Sequence, residues 1–475
     1  MPIQKLKVGM AGLGRIGKVH VHNFLHQTPR AEVVAAFSPD PAEITWGRQH
    51  LEPYGVTLYD NYDKMLEHPG LQAVVIGTAT SVHAEETMKA IDRDLHVLCE
   101  KPLSIDVEVC RAVAQKAKTK PHLKVMCGFS RRFDDSYREV YDKISQGMIG
   151  RPSIVRSQTC DKYDPSGFYV AYAAWSGGVF VDMSVHDIDL TLWFMGEDSV
   201  PKSISAHGIT AVQPELKKYN DYDNAVGIVE FHNGKIAYYY CSRMMPHGQE
   251  DTTEVIGTEG KLSVNINPQR NFVNYYHNGG ITREVPANFH GRFGGAFVNE
   301  ANEFTACCLD NKPLPLKLSN AVKAVEIGAY LQEALVTGKQ IHFDEIGRRI
   351  EKAQFSSMVI SLQRDQRGVY GRWREWLHCV VKRPQGTGGF LSASSQAATP
   401  AQLPMTKCTA DDAHDRRESS IQPARGAFLP IRLQHWTPLI PTSVSLLHHP
   451  IAIFHAGGQS TLIIFDYLHG WISGT

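Results

Sequence analysis

The chain of 475 residues lacks net charge, since 49 lysines and arginines stand against 49 aspartates and glutamates. Nucleic-acid binders and proteins of anionic membrane surfaces carry a basic excess, so bulk electrostatics points to neither partner. No apolar run approaches the length that spans a bilayer. The 9 cysteines include no Cys-x-x-Cys pair, and Cys307 and Cys308 are adjacent. No secretory signal pattern opens the chain, so reduced thiols in a cytoplasmic protein are the expectation. What is present is ordinary for a globular protein: 43% hydrophobic and 21% charged residues, with length enough for two or three domains.

Short apolar runs at residues 7–11, 32–37, 73–77, 96–99 and 124–128 read as strands. Helical stretches at 41–50, 83–93 and 107–118 alternate with them. That alternation predicts a parallel, doubly wound sheet over residues 1–128. After a helix at 137–146 the pattern changes. Segments 226–231 and 235–241 flank Asn233-Gly234, a hairpin signal. Segments 252–256 and 261–266, then 271–276 and 281–285, flank further glycine turns. Residues 129–355 therefore read as an α+β domain with an open, mainly antiparallel sheet, closed by helices near 296–309 and 320–337. Residues 384–422 are rich in Ser, Thr, Ala, Gly and Pro without period, so 356–475 reads as a poorly ordered tail or translated non-coding sequence. The alternative is a regulatory or oligomerisation tail.

The first strand runs into Gly12-Leu-Gly-Arg-Ile-Gly17, which opens a helix. In that context the glycines are a dinucleotide fingerprint. Gly12 turns the chain, Gly14 lets backbone approach a pyrophosphate, and Gly17 lets the helix pack on the sheet. Arg15 and Ile16 fall in the same loop. The fingerprint expects an acid closing the second strand, and Ser38 stands there, followed by Pro39 and Asp40. Ser38 does not repel a 2′-phosphate, no arginine beside it attracts one, and Asp40 is a possible ribose partner. The residues leave NAD and NADP open. Thr78, His83 and Glu100 are the other expected cofactor-side residues; His20 reads equally as cleft-lining or structural.

A second cluster is Gly178 to Asp189, Gly-Val-Phe-Val-Asp-Met-Ser-Val-His-Asp-Ile-Asp. Asp182 and His186 are four apart, the spacing of one helical face, with Asp189 following. An imidazole beside a carboxylate handles protons near neutral pH. With Lys101 and a nicotinamide cofactor, the pair suggests hydride transfer at an alcohol carbon. As a metal face the group offers a single histidine, which is poor for zinc, and no metal is expected. Taken singly, His186 reads as a structural histidine, and Lys101 and Asp182 as surface charges.

The fingerprint, Cys99-Glu-Lys-Pro-Leu103, Gly128-Phe-Ser-Arg-Arg-Phe133 and Gly178–Asp189 together resemble the Gfo/Idh/MocA oxidoreductases. Within that family the chain is most similar to inositol 2-dehydrogenases, over residues 5 to 355. The resemblance implies a Rossmann domain, an α/β domain whose open sheet pairs subunits in a homodimer or homotetramer, and a lean toward NAD. It implies Lys101 as catalytic lysine before a cis Pro102, Asp182 as its aspartate and His186 as proton-transfer residue. It places Arg131 or Arg132, with Lys101 and His186, on the polyol or sugar substrate. Gln249 stands where inositol dehydrogenases have an aromatic residue, and Met183 where a small hydroxyl residue occurs. The rival readings are an NADP-linked sugar dehydrogenase or keto-sugar reductase and a non-catalytic dinucleotide sensor, the latter opposed by the presence of Lys101 and His186.

Overall fold

The computed structural model describes residues 4–350 and the backbone of three short strands further on. The first half builds the expected alternation: β1 (Leu6–Ala11), α1 (Arg15–His26), β2 (Ala31–Phe37), α2 (Pro41–His50), β3 (Thr57–Tyr59), α3 (Tyr62–Leu66), β4 (Ala73–Ile76), α4 (Thr80–Asp92), β5 (His96–Glu100), α5 (Val107–Lys118) and β6 (Val125–Gly128). The six strands pair in parallel in the order β3-β2-β1-β4-β5-β6. Helices cover both faces, so β4 is buried along its whole length. The strand order reverses between β1 and β4, which opens a crevice at their carboxyl ends. Gly12 shapes that crevice with φ at +88°. A Cβ there would stand 2.7 Å from the carbonyl oxygen of Gly77, and one on Gly17 would fall 2.0 Å from that of Gly12. Both positions exclude every residue larger than glycine.

The second half follows as α6 (Asp135–Ser145), β7 (Pro152–Lys162), α7 (Phe168–Tyr172), α8 (Val179–Asp182), α9 (Val185–Met195), β8 (Pro201–Ile209), β9 (Asn224–Phe231), β10 (Ile236–Met245), β11 (Glu250–Gly257) and β12 (Lys261–Val264). Then come β13 (Asn274–His277), β14 (Gly280–Arg283), α10 (Phe289–Leu309), α11 (Leu318–Thr337), β15 (Ile341–Phe343) and β16 (Arg349–Ile350). Eight strands form one sheet in the order β12-β11-β7-β10-β9-β8-β15-β16. It is antiparallel except where β7 meets β10. One face carries buried Ile204, Ala225, Val229, Ala237 and Tyr239, against which α9 and α11 pack. The other face exposes Ile154, Ile209, Ile228 and Ile236 among the described residues.

Two expectations are corrected. Residues 271–285 do not extend the large sheet: β13 and β14 pair only with each other, as a separate exposed hairpin. Asp182 and His186 do not share a helix either. Asp182 ends α8, Met183 and Ser184 separate the two helices, and His186 belongs to α9. Gly178, with φ at +91°, starts α8, and a helix of four residues cannot carry the pair on one face.

Helix α10 returns to the first domain. It packs on α1 and on the turn Ser130–Phe133, and Asn302 donates to the carbonyl of Gln27 at 3.0 Å. This brings Phe289, Phe293 and Phe297 to the crevice. Beyond Arg383 a second unit contains β17 (Ser443–Leu447), β18 (Ile451–Ala456) and β19 (Gln459–Ile464), antiparallel in that order. The expectation of a poorly ordered tail at 356–475 otherwise lies outside the described residues.

Candidate active site

The expected cofactor and catalytic residues meet in one cleft of about 730 Å³. Gly12, Gly14, Arg15, Ile16, Ser38, Thr78, His83 and Glu100 line one part, and Lys101, Arg131, Asp182 and His186 line another. Gly17 lies behind the loop, at the packing contact described above. The glycine loop fits a dinucleotide. On Gly14 a Cβ would meet only the Glu43 Oε1, at 3.1 Å, so its backbone is open toward the cleft, as close approach of a pyrophosphate requires.

Lys101 follows β5 and precedes a cis peptide bond to Pro102. Its ammonium donates to the main-chain oxygen of Asp182 at 2.6 Å and to Asp182 Oδ1 at 3.5 Å. An ammonium has three donors, so one is left for the cleft. Asp182 Oδ2 accepts from the Arg243 guanidinium at 2.6 Å. Burial pushes the Asp182 carboxyl up, but Lys101 and Arg243 outweigh it and hold the group below its usual value, hence ionised. Tyr172 donates to Oδ1 at 3.5 Å. The rings of His186 and Phe129 meet at right angles with a centroid distance of 5.8 Å, and the His186 Nδ1 is buried without a partner. Burial, then the charges of Lys101 and Arg131, pull its pKa well below 6.5. The imidazole is neutral and free to accept a proton.

The arginine pair divides. Arg131 lines the cleft and is fixed by Asp187 at 3.0 Å, Thr159 at 2.8 Å and Asp251 at 3.0 Å. Arg132 is absent from the cleft wall; it makes a bidentate pair with Asp189 at 2.7 and 2.8 Å and lies over Trp193. The substrate-side expectation therefore narrows to Arg131, and Asp189 is held by a structural ion pair. His83 contacts the carbonyls of Pro102 at 2.9 Å and Thr78 at 3.1 Å through its two ring nitrogens, so it ties two cleft loops together. Thr78 donates to Glu86 at 2.6 Å. Glu100 is held by His20 Nε2 at 2.7 Å and by the Lys101 amide at 3.1 Å. His20 is thus a buried support behind the cleft.

Arg243, Asp161, Asp251 and Glu43 were not singled out in the sequence. Arg243 is fully buried and lies 4.8 Å over the ring of Tyr169. Asp161 accepts from Gln249 at 2.8 Å and from Tyr169 at 3.3 Å, and all three line the cleft with Met183. Asp251 sits behind them, pushed up to about 7 because burial outweighs Arg131. Near the glycine loop, Glu43 accepts from Ser38 and the Leu13 amide. No sequence signal marked Arg243 or Asp161; Glu43 sits three residues after the helix-capping Asp40, a position the capping pattern does flag.

A doubly wound domain with a glycine loop, joined to a second domain that brings a lysine, an aspartate and a histidine to the same cleft, defines a dinucleotide-dependent oxidoreductase. Residues 6–129 match the model of an oxidoreductase family with an NAD-binding Rossmann fold, and residues 137–263 match the Gfo/Idh/MocA C-terminal domain. The chain belongs to the Gfo/Idh/MocA family of NAD-binding oxidoreductases. It is 29% identical over 344 residues to scyllo-inositol 2-dehydrogenase (NAD(+)) of Bacillus subtilis, covering 72% of this chain and 97% of that one. It is 31% identical over 303 residues to inositol 2-dehydrogenase of Rhizobium meliloti, covering 63% and 88%. Among solved structures it resembles scyllo-inositol dehydrogenase from Lactobacillus casei with bound NAD(H) and scyllo-inositol, with a TM-score of 0.68, 31% identity and coverage of 71% and 99%.

Proposed function

We propose that this chain oxidises a secondary ring hydroxyl of a cyclic polyol of the inositol type, with NAD as hydride acceptor. The observation that carries the reading is the meeting of Lys101, Asp182 and His186 with the glycine loop in one cleft. When bound, the nicotinamide supplies the acceptor for the hydride that leaves the alcohol carbon. His186, neutral at physiological pH, takes the hydroxyl proton. The free donor of Lys101 steadies the negative charge that builds on the oxygen. Asp182, ionised and clamped by Arg243 at 2.6 Å, holds the ammonium in place. Arg131, Asp161, Tyr169 and Gln249 give the cleft alternating donors and acceptors, suited to a ring that presents a hydroxyl at each carbon. The names of the relatives support the same substrate class.

Residues 1–128 then serve the dinucleotide, and 129–355 the polyol and subunit pairing. The open face of the large sheet exposes Ile154, Ile228, Ile236 and Ile209 at 39%, 44%, 42% and 61%. Exposed apolar side chains on one sheet face suit burial against a second copy in a homo-oligomer. The test of the activity is NADH formation by the full chain with myo-inositol, scyllo-inositol and glucose. A cyclitol should give kcat/KM at least about tenfold above glucose. A chain that binds NADH yet turns over neither cyclitol is not an inositol dehydrogenase.

A further inference from the structure

The second strand ends without the acid that a ribose-reading Rossmann site uses. Phe37 closes β2 and Ser38 follows. Ser38 is fully buried, and its hydroxyl donates to Glu43 Oε2 at 2.6 Å. The same oxygen accepts from the Leu13 amide of the glycine loop at 3.1 Å. Two donors from two separate loops thus fix one oxygen of a carboxylate carried by the first turn of α2. The other oxygen, Oε1, points to Gly14, 3.1 Å from where a Cβ on that residue would stand.

The local sequence explains how the carboxylate gets there. Asp40 caps α2, accepting from Ala42 at 2.8 Å, and Pro41 occupies the first helical position. In a capping box the acid three residues on would reach back to the amide of the cap. Here that amide donates to Ser38 Oγ at 3.1 Å instead. Glu43 is released from capping and turns into the cleft. Asp40, the sequence candidate for the ribose, is committed to the cap. The cations lining the cleft are Arg15, Lys101 and Arg131. Arg15 lies between the rings of Phe168 and Phe289, Lys101 is on Asp182, and Arg131 is on Asp187 and Asp251. None of the three bonds to Ser38 or Glu43, whose carboxylate takes its donors from Ser38 and the Leu13 amide.

We propose that Glu43, held by Ser38 and Leu13, replaces the missing strand-end acid: it accepts from the adenosine ribose hydroxyls of NAD and excludes the 2′-phosphate of NADP. The inference rests on the reading of this cleft as a nicotinamide-dinucleotide site. It assigns selectivity to a helix residue five positions past the usual one. The repulsion is a like-charge contact, the kind that rejects wrong partners strongly.

The experiment is a fluorescence titration of the full chain with NADH and with NADPH, without polyol, for the wild type, Glu43→Gln, Ser38→Ala and Asp40→Asn. The wild type should bind NADH at least about tenfold more tightly than NADPH. Glu43→Gln should shrink that ratio by about tenfold, through weaker NADH and stronger NADPH binding. Ser38→Ala should move it the same way by less, and Asp40→Asn should leave it in place. Thermal melting of each variant reports its folding independently, and Ser38→Ala still tests the idea if Glu43→Gln does not fold. A ratio unchanged in both Glu43→Gln and Ser38→Ala, or moved by Asp40→Asn alone, overturns the assignment. Because no polyol is present, failure of the substrate reading leaves this result standing.

Discussion

His186 and Lys101 divide the work of alcohol oxidation by charge: the imidazole must be empty of a proton while the ammonium must keep its own. Their surroundings enforce half of this directly, since burial, Lys101 and Arg131 all disfavour the imidazolium. The pH dependence follows. A group whose pKa lies well below 6.5 stays neutral as pH falls through 6.5, so kcat/KM for oxidation should hold through that range and drop only under more acidic conditions. A pH profile of kcat/KM checks this, and an acid limb at or above the ordinary histidine value would count against His186 as the base. Replacing His186 or Lys101 by alanine should each lower kcat by about two orders of magnitude while NADH binding, read by fluorescence, persists. Near-normal turnover in both variants would remove them from the chemistry. These residues were legible in the chain because each sits in a short motif of distinctive spacing. Arg243 was not. A buried arginine in a strand has the same local signature as a surface one, and its partners Asp182 and Asp221 are separated from it in sequence. Only the folded sheet reveals that its charge joins that of Lys101 in keeping Asp182 ionised.

At the scale of elements, the helices α2 and α5 could be bounded from sequence because aspartates cap them: Asp40 accepts from Ala42, and Asp106 from Glu108 and Val109. The hairpin of β9 and β10 was equally plain from Asn233-Gly234. Strand β7 was missed for a physical reason. Its inward face carries Val155, Ser157 and Thr159, and the two hydroxyls serve Asp187 at 2.6 and 2.7 Å. The buried side is therefore polar, and the alternation that announces a strand is blurred. Its outward side, by contrast, is apolar at Ile154, which pairs with Ile236 of β10, while Ile228 of β9 pairs with Tyr238. On the proposed reading that outward apolar side is where a second subunit would sit, opposite the helices that cover the inner face. Ile228→Asp would bury a carboxylate in such an interface without partner, a large penalty, yet cost little in an isolated chain where the residue is 44% exposed. Light scattering should find the wild type as an oligomer and Ile228→Asp shifted to smaller species with its circular dichroism retained. An unchanged mass would mean that this face is not the contact.

For the molecule as a whole, the cleft is assembled by two domains that each contribute what the other lacks. The parallel sheet supplies the glycine loop and Lys101, and the larger sheet with its helices supplies Asp182, His186 and Arg131's supports Asp187 and Asp251. Helix α10 then crosses back to wall the crevice with Phe289, Phe293 and Phe297. The described residues that line the cleft fall between Gly12 and Phe297, inside the unit that ends at Arg383. The comparisons agree with that economy. About 344 residues, 72% of this chain, account for 97% of the Bacillus subtilis relative, so the remainder has no counterpart in that relative. A chain ended after Arg383 should therefore keep kcat, KM for the cyclitol and NADH affinity within about twofold. Steady-state kinetics and fluorescence titration of the two lengths side by side measure this. If the shorter chain folds with the same thermal transition but loses turnover or cofactor binding, residues 384–475 supply something to catalysis that the cleft does not contain, and the division of labour between the two domains is incomplete.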